Sequence, residues 1–337
     1  MRVFALLCAA LLSLAAVLSP AAAEPVKIRV TWVAIVTNMP SILFLKPGIA
    51  RHEGVSYTFE PLHFNSTPLM IPALATGDIE IATFAYSSLA AAIEKAGMDD
   101  VRVIADELQD GVPGYYSDEY MVRKDSPIRT IEDLKGKVLA SSGIGGAMDV
   151  PMREMLKKHG LDPLKDVTIV EVTMPNHHAA LAEGKVDLIS SPLPFSEDPS
   201  LRAMARTLFT QREAAGATQM ILWAARAGFL EKNRAAMVDF LEDTIRARRW
   251  FEDPANHAEV IKLVTQFTKQ PADHYDPWLF TKADYYRDPD DLPNIAALQQ
   301  NVDELVAQGL LPSHIDMAAH ADLSLVKEAA ARVNSGK

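Results

Sequence analysis

Three glycines in four positions punctuate the run SSGIGGAMDVPMREML, Ser141 to Leu156, where an apolar segment, KVLA, gives way to a helical pattern. A turn of this kind can expose a catalytic serine, wrap a nucleotide phosphate, or present backbone N–H groups to a ligand. A phosphate loop needs Lys and Ser/Thr after its last glycine, and GAMDV has neither. A dinucleotide fingerprint needs a third glycine where this run has Met148. The G-x-S-x-G elbow of a hydrolase occurs nowhere in the chain. What remains is a glycine-rich turn at a helix start, where missing side chains let a ligand approach the N–H groups of Gly145, Gly146 and Ala147. Asp149, in the first helical turn, suits the helix dipole and can pair with Arg153 at i+4. Turned to the ligand instead, it would repel an anion and favour a partner carrying a positive group or a hydrogen-bond donor.

The same residue types recur wherever an apolar run ends. Thr37–Asn38, Asn65–Ser66–Thr67, Tyr86–Ser87–Ser88, Ser141–Ser142–Gly143, Pro175–Asn176–His177 and Ser190–Ser191–Pro192 each follow a segment with strand character. Helix capping accounts for any one of these turns, whatever the function. As a set they place several helix starts at one edge, which makes a polar, anion-tolerant site.

The elements that must position these turns alternate. VKIRVTWVAI, VSYTFEPLHF, IEIATFA and VRVIADEL read as strands, and TNMPSILFLKPGIARHEG, NSTPLMIPALATG and SSLAAAIEKAG as turns with helices. KVLAS, DVTIVEVTM and VDLISS continue the pattern after a break at YYSDEYMVRKDSPI, and ATQMILWAA is a second crossing strand. After it the chain is helical, with late helices expected near 294–308 and 321–333. The alternation predicts mainly parallel sheets with helices on both faces, in two α/β lobes. The lobes are expected at 24–118 with 225–337, and at 119–218, with 219–224 as the second hinge crossing. Ligands of such folds bind between lobes at the C-terminal strand edges.

The formal net charge of -11 speaks against nucleic acid, which needs clustered Lys and Arg. Residues 1–23 read as a cleaved export signal: Arg2, an apolar run, and AAA before Glu24. The run is short of the roughly 20 residues a span needs. Its Cys8 is the only cysteine, so the exported chain lacks thiolate nucleophiles, disulfides and Cys-ligated metals. These features predict a monomer in the periplasm, without cofactor or metal.

The runs DLKGKVLASSGIGGAMDVPMREMLKKHGL and DVTIVEVTMPNHHAALAEGKVDLISSPLP resemble solute-binding proteins of bacterial ABC importers, in the group for sulfonates, taurine and nitrate, with relatives that bind pyrimidine precursors of thiamine. PLMIPALATGDIEIATFAYSSLAAA and LQQNVDELVAQGLLPSHID fit the same pattern, so the resemblance covers most of residues 26–330. It implies a two-lobed periplasmic binding protein of the second type, a Venus flytrap, that captures a small solute and hands it to an inner-membrane permease and ATPase. The family's ligand contacts, carried onto this sequence, are Asn38, Ser66, Thr67, Tyr86, Ser87, Ser142, Gly145, Gly146, Ala147, Asn176 and Pro192. His177 is a further candidate for the cleft wall. His177 and His178 point about 100° apart on a helix and lack metal-ligand spacing.

Enzymes on the same fold are the competing class. They include a cysteine-dependent desulfinase, a thiamine-pyrimidine synthase with a cysteine-rich motif, and enzymes of menaquinone biosynthesis. A third possibility is a sensor subunit that presents its ligand state to a receptor. Tyr115, Tyr116 and Tyr120 are expected to pack near the first crossing. RARRW (Arg246 to Trp250) reads as a solvated amphipathic face and YYRDPDDLP (Tyr285 to Pro293) as an exposed loop. Phe84, Tyr86, Met148 and Leu193 near the turns favour an organic anion, a sulfonate or carboxylate.

Overall fold

Runs rich in Val, Ile, Thr and aromatics form ten strands among the described residues, 24–336, of a computed structural model. They are β1 (Val26–Trp32), β2 (Tyr57–His63), β3 (Ile81–Ala85), β4 (Val101–Asp110), β5 (Glu119–Arg123), β6 (Val138–Ser141), β7 (Thr168–Glu171), β8 (Leu188–Ser191), β9 (Ala205–Thr210) and β10 (Thr218–Arg226). Residues 1–23, on which the export-signal reading falls, lie outside the described residues. No helix among those described is long and apolar enough to cross a membrane.

The strands make two five-stranded sheets, ordered β2-β1-β3-β10-β4 and β7-β6-β8-β5-β9. Pairings β1–β2, β1–β3, β6–β7 and β6–β8 are parallel. The antiparallel pairings all involve β5 or β10. Each sheet is therefore mainly parallel, and its one antiparallel strand is the one entered from the other sheet. β10, expected as a crossing, lies wholly within the first sheet. β9 (ARTLFT) was not singled out by pattern and closes the edge of the second.

The two crossings touch. Gly111 follows β4 with φ +77, and a Cβ there would stand 2.2 Å from the carbonyl oxygen of Gly216. A left-handed backbone and a closed approach both demand glycine at that point.

Three expectations are corrected. TNMPSILFLKPGIARHEG forms only a short 3-10 helix, Met39–Ser41, followed by turns, and the Pro47–Gly48 pair prevents a longer helix. RARRW is not a solvated face. In the helix Arg234–Glu252, Arg248 is fully buried, paired with Asp291, and donates to the carbonyls of Glu107 and Asp106 at 3.1 and 3.0 Å. Arg246 pairs with Glu242 and Asp243, and Arg249 with Asp290. YYRDPDDLP is likewise not an exposed loop. Tyr285, Arg287 and Asp291 are buried, and Gln109 of β4 donates to the Tyr286 carbonyl at 2.8 Å. The segment is a strap laid over the end of β4, and its charges match those of the helix beneath it.

Candidate functional site

The strand-end turns of both sheets meet around one cavity of about 60 Å³. Its polar wall is Thr37, Asn38, Ser66 and Thr67 from the first sheet's turns and Ser142 from the second's. Gly146, Ala147, Met148, Met174 and Pro192 complete the second side. Val33, Ala34, Leu108, Met220, Ile221 and Tyr285 complete the first. None of these sixteen residues carries a formal charge.

The turn after β6 explains its own shape. Asp149 is buried, and its Oδ2 accepts from the Gly145 N–H at 2.8 Å and from Arg153 Nε at 2.7 Å. It thus folds back onto its own loop and does not line the cavity. The Gly146 N–H donates to the Gly143 carbonyl at 3.0 Å. The amides of Gly145 and Gly146 are therefore spent. Those of Ala147 and Met148 donate to no main-chain carbonyl among the described residues, and they precede the helix Asp149–Lys158. The hydroxyls of Ser66 and Ser142 are also unengaged there.

Asn38 is spent as well. Its Oδ1 accepts from the N–H groups of Val33 and Ala34 at 2.9 and 2.8 Å, fixing the bend after β1. Behind it, Glu107 accepts from the Met39 N–H at 3.0 Å and from Trp223 Nε1 at 2.8 Å. Burial pushes the Glu107 carboxyl up to about 7, against the pull of Trp223 and Arg248.

Clasps join the two sides. Thr37 Oγ1 donates to the Leu193 carbonyl at 2.6 Å, and the Leu193 N–H donates to the Tyr285 hydroxyl at 3.2 Å. Ser87 Oγ donates to the Gly145 carbonyl at 2.8 Å. Tyr285 also donates to Asp118, whose carboxyl is raised well above its ordinary range by burial and by neighbouring Asp110. A Cβ on Gly143 would lie 2.7 Å from Ser66 Cβ, so the sides touch there with no room for a side chain.

Of the carried-over residues, the cavity gathers Asn38, Ser66, Thr67, Ser142, Gly146, Ala147 and Pro192. It does not gather Tyr86, Ser87, Gly145, Asn176 or His177. Tyr86 is buried in a cluster with Val150 and Leu305. Ser87 and Gly145 are used on each other. Asn176 is exposed, its Nδ2 donating to Thr173 at 2.9 Å. His177 is buried, with Nδ1 2.7 Å from the Ser190 carbonyl and Nε2 2.8 Å from the Val172 carbonyl. Burial lowers its pKa, and the neutral ring has one N–H to donate to one of these carbonyls, so the side chain sits under the turn and does not line the cavity. Phe84 and Leu193 also miss the cavity. Its apolar side comes from Met148, Met174, Met220, Leu108 and Ile221. Tyr285 gave no sequence signal at all; Met220 lay in a strand read only as a crossing.

Tyr115, Tyr116 and Tyr120 all pack. Tyr120 stacks on Phe209 at 4.3 Å, Tyr116 meets Tyr285 edge-on at 5.1 Å, and Tyr115 meets Tyr286 at 5.2 Å. One trio among the described residues, His52, Asp239 and Glu242, has the donor types of a metal site. Arg332 Nη1 stands 2.9 Å from Asp239, and Arg246 pairs with Glu242, so the carboxylates already have counter-charges.

Two mainly parallel lobes closed over a cavity at their strand ends define a periplasmic binding protein fold. The alkanesulfonate-binding protein SsuA from Xanthomonas axonopodis pv. citri, solved with MOPS bound, shares it: TM-score 0.71 and 22% identity, over 90% of this chain and 100% of that one. Residues 21–265 match the NMT1-like family, and the chain belongs to that family. It is 26% identical over 227 residues to the taurine-binding periplasmic protein of Escherichia coli, covering 64% of this chain and 66% of that one. It is 27% identical over 169 residues to the nitrate/nitrite binding protein NrtA of Synechococcus elongatus, covering 48% and 38%. The match thus spans less than two thirds of either relative.

Proposed function

We propose that this protein is the solute-binding component of an ABC import system, exported to the periplasm, where it works as a monomer. The lobes are residues 24–118 with 225–337, and 119–218. It captures a small organic anion between them and delivers it to a permease and ATPase in the inner membrane. The observation that carries this reading is the cavity itself, set between the lobes and walled by strand-end turns from both. Ser66, Ser142 and the N–H groups of Ala147 and Met148 offer donors to an acid group. Thr67, Gly146 and Pro192 shape the wall, and Asn38 holds the bend after β1. The relatives' names, for sulfonate, taurine and nitrate binding, support the class. No covalent step is required, because closure follows from tighter binding to the closed state.

A thermal-shift screen of the refolded protein tests the reading. A solute at 100 times its dissociation constant adds about 2.7 kcal/mol of stability. A shift with at least one small organic anion is expected. No shift with any member of a broad panel of anions and neutral isosteres would overturn it.

A further inference from the structure

A second cavity, of about 190 Å³, lies against the Ser87–Gly145 hydrogen bond and shares no residue with the first. We infer that it is an effector site, separate from the solute cavity, that takes an acid head group with an apolar tail and ties the two lobes together. Two helices supply its charge. Ser87, Ala91 and Lys95 recur every four residues, on one face of the helix Tyr86–Glu94 and its C-cap. Asp149 and Arg153 stand one turn apart on the helix Asp149–Lys158. The first helix follows β3 and the second follows the turn after β6, so the cavity is shared between the two sheets.

Arg153 is 9% exposed, yet only part of it is used. Its Nε donates to Asp149 Oδ2 at 2.7 Å, while neither Nη group has a hydrogen-bond or ion-pair partner among the described residues. The edge of a guanidinium that carries both Nη groups matches two oxygens of a carboxylate, sulfonate or phosphate. Lys95 is exposed and has no partner there either, because its neighbour Glu94 accepts from Ser313 Oγ at 2.7 Å. The one carboxylate lining the cavity, Asp149, is taken by Arg153 and the Gly145 N–H, and its other oxygen is buried. Two cations against one engaged carboxylate leave the cavity positive, a local exception in a chain of net charge -11.

The remaining wall is apolar. Ile144, on the glycine-rich turn, is 48% exposed and lines the cavity with Leu310 and Leu311. An alkyl tail laid there removes this surface from water. Lys95 and the leucines belong to one lobe, Arg153 and Ile144 to the other. An anion held by both cations therefore favours the closed state, and by linkage it tightens the grip on a solute it never touches.

Isothermal titration of the full chain with hexanoate, 1-hexanesulfonate and monohexyl phosphate tests this, against Arg153→Lys and Lys95→Ala. Arg153→Lys keeps a charge for Asp149 and removes the fork; Lys95→Ala changes an exposed side chain and spares the fold. At least one of the three anions is expected to bind, and which one names the head group. Its affinity should fall at least about tenfold with Arg153→Lys, which loses the bidentate edge, and about threefold with Lys95→Ala, an exposed charge. Binding that survives both changes would place the anion in the solute cavity; it would overturn this inference and leave the solute-binding reading intact. Hexanamide binding as tightly as hexanoate would overturn the charge requirement, and acetate matching hexanoate the apolar tail. No binding by any of the three anions would overturn the site.

Discussion

Thr37 donates its hydroxyl to the carbonyl of Leu193 at 2.6 Å, across the cleft and 156 residues along the chain. The amide of the same Leu193 donates to Tyr285. One residue of the second lobe is thus held at both ends by the first. Both holders are braced by one side chain: Arg287 donates to the Thr37 carbonyl at 3.1 Å and lies 3.5 Å from that of Tyr285, with Asp284 at 3.0 Å as its counter-charge.

Removing this grip should open the lobes. Thr37→Val deletes one hydrogen bond across the cleft, worth about 1 kcal/mol net, or about fivefold in the closed-to-open ratio; Tyr285→Phe deletes the bonds to both Leu193 and Asp118 and should open the lobes at least as far. Spin labels, one on each lobe, report the change by pulsed dipolar distance measurement. Cys8 is the only native cysteine, so with it replaced the labels are unambiguous. Unchanged distance distributions in both variants would remove the clasp from the closing mechanism.

Gly143→Ala should block closure directly. The added methyl would meet Ser66 Cβ at 2.7 Å. The clash exists only when the lobes are shut, so the ligand-free melting temperature should stay within a few degrees while solute affinity falls at least about tenfold. Adding Ser66→Gly makes room and should restore part of the affinity. Equal affinity for wild type and Gly143→Ala would disprove the contact.

His177→Leu separates bracing from binding. The substitution removes the one N–H that the neutral imidazole offers to the Ser190 or Val172 carbonyl, in a buried place. Urea unfolding should show a loss of about 1–3 kcal/mol. Solute affinity of the folded fraction should change less than about threefold. A large affinity loss with unchanged stability would return His177 to the cleft wall.

Stability should fall from mildly acidic to alkaline pH. Burial raises the carboxyls of Asp106 to about 6 and Glu107 to about 7. Each is raised above its unfolded value near 4, so the folded state binds more protons between those limits. The stability each contributes is present below the unfolded pKa and is lost as pH rises through the folded one. The slope is up to about 1.4 kcal/mol per pH unit for each group. Denaturant midpoints at pH 5.5 and 8.5 measure it; a higher midpoint at 8.5 would contradict the sign.

The strands and their turns were legible because they depend on local patterning. KVLAS, VDLISS and IEIATFA carry their own period and their own turn chemistry, so β6, β8 and β3 and the polar residues after them could be read directly. The glycine-rich turn at the start of a helix was legible, but not which of its N–H groups the fold leaves free. That depended on Asp149 choosing Gly145 and Arg153 over the cleft, a matter of a few side-chain rotations.

The sequence by itself determined the two-lobed alternation, the polar strand-end turns, the absence of a thiol beyond Cys8 and the family resemblance. Each rests on neighbours within a few residues or on composition. Only the tertiary structure decided that Arg248 is buried, because its charge is met by Asp291, some forty positions away, and that Tyr285, Arg287 and Asp291 of the strap are buried against the end of β4. The same holds for the methionine wall and for Tyr285. A side chain's neighbours across a closed cleft come from packing two lobes together, and no local period records that.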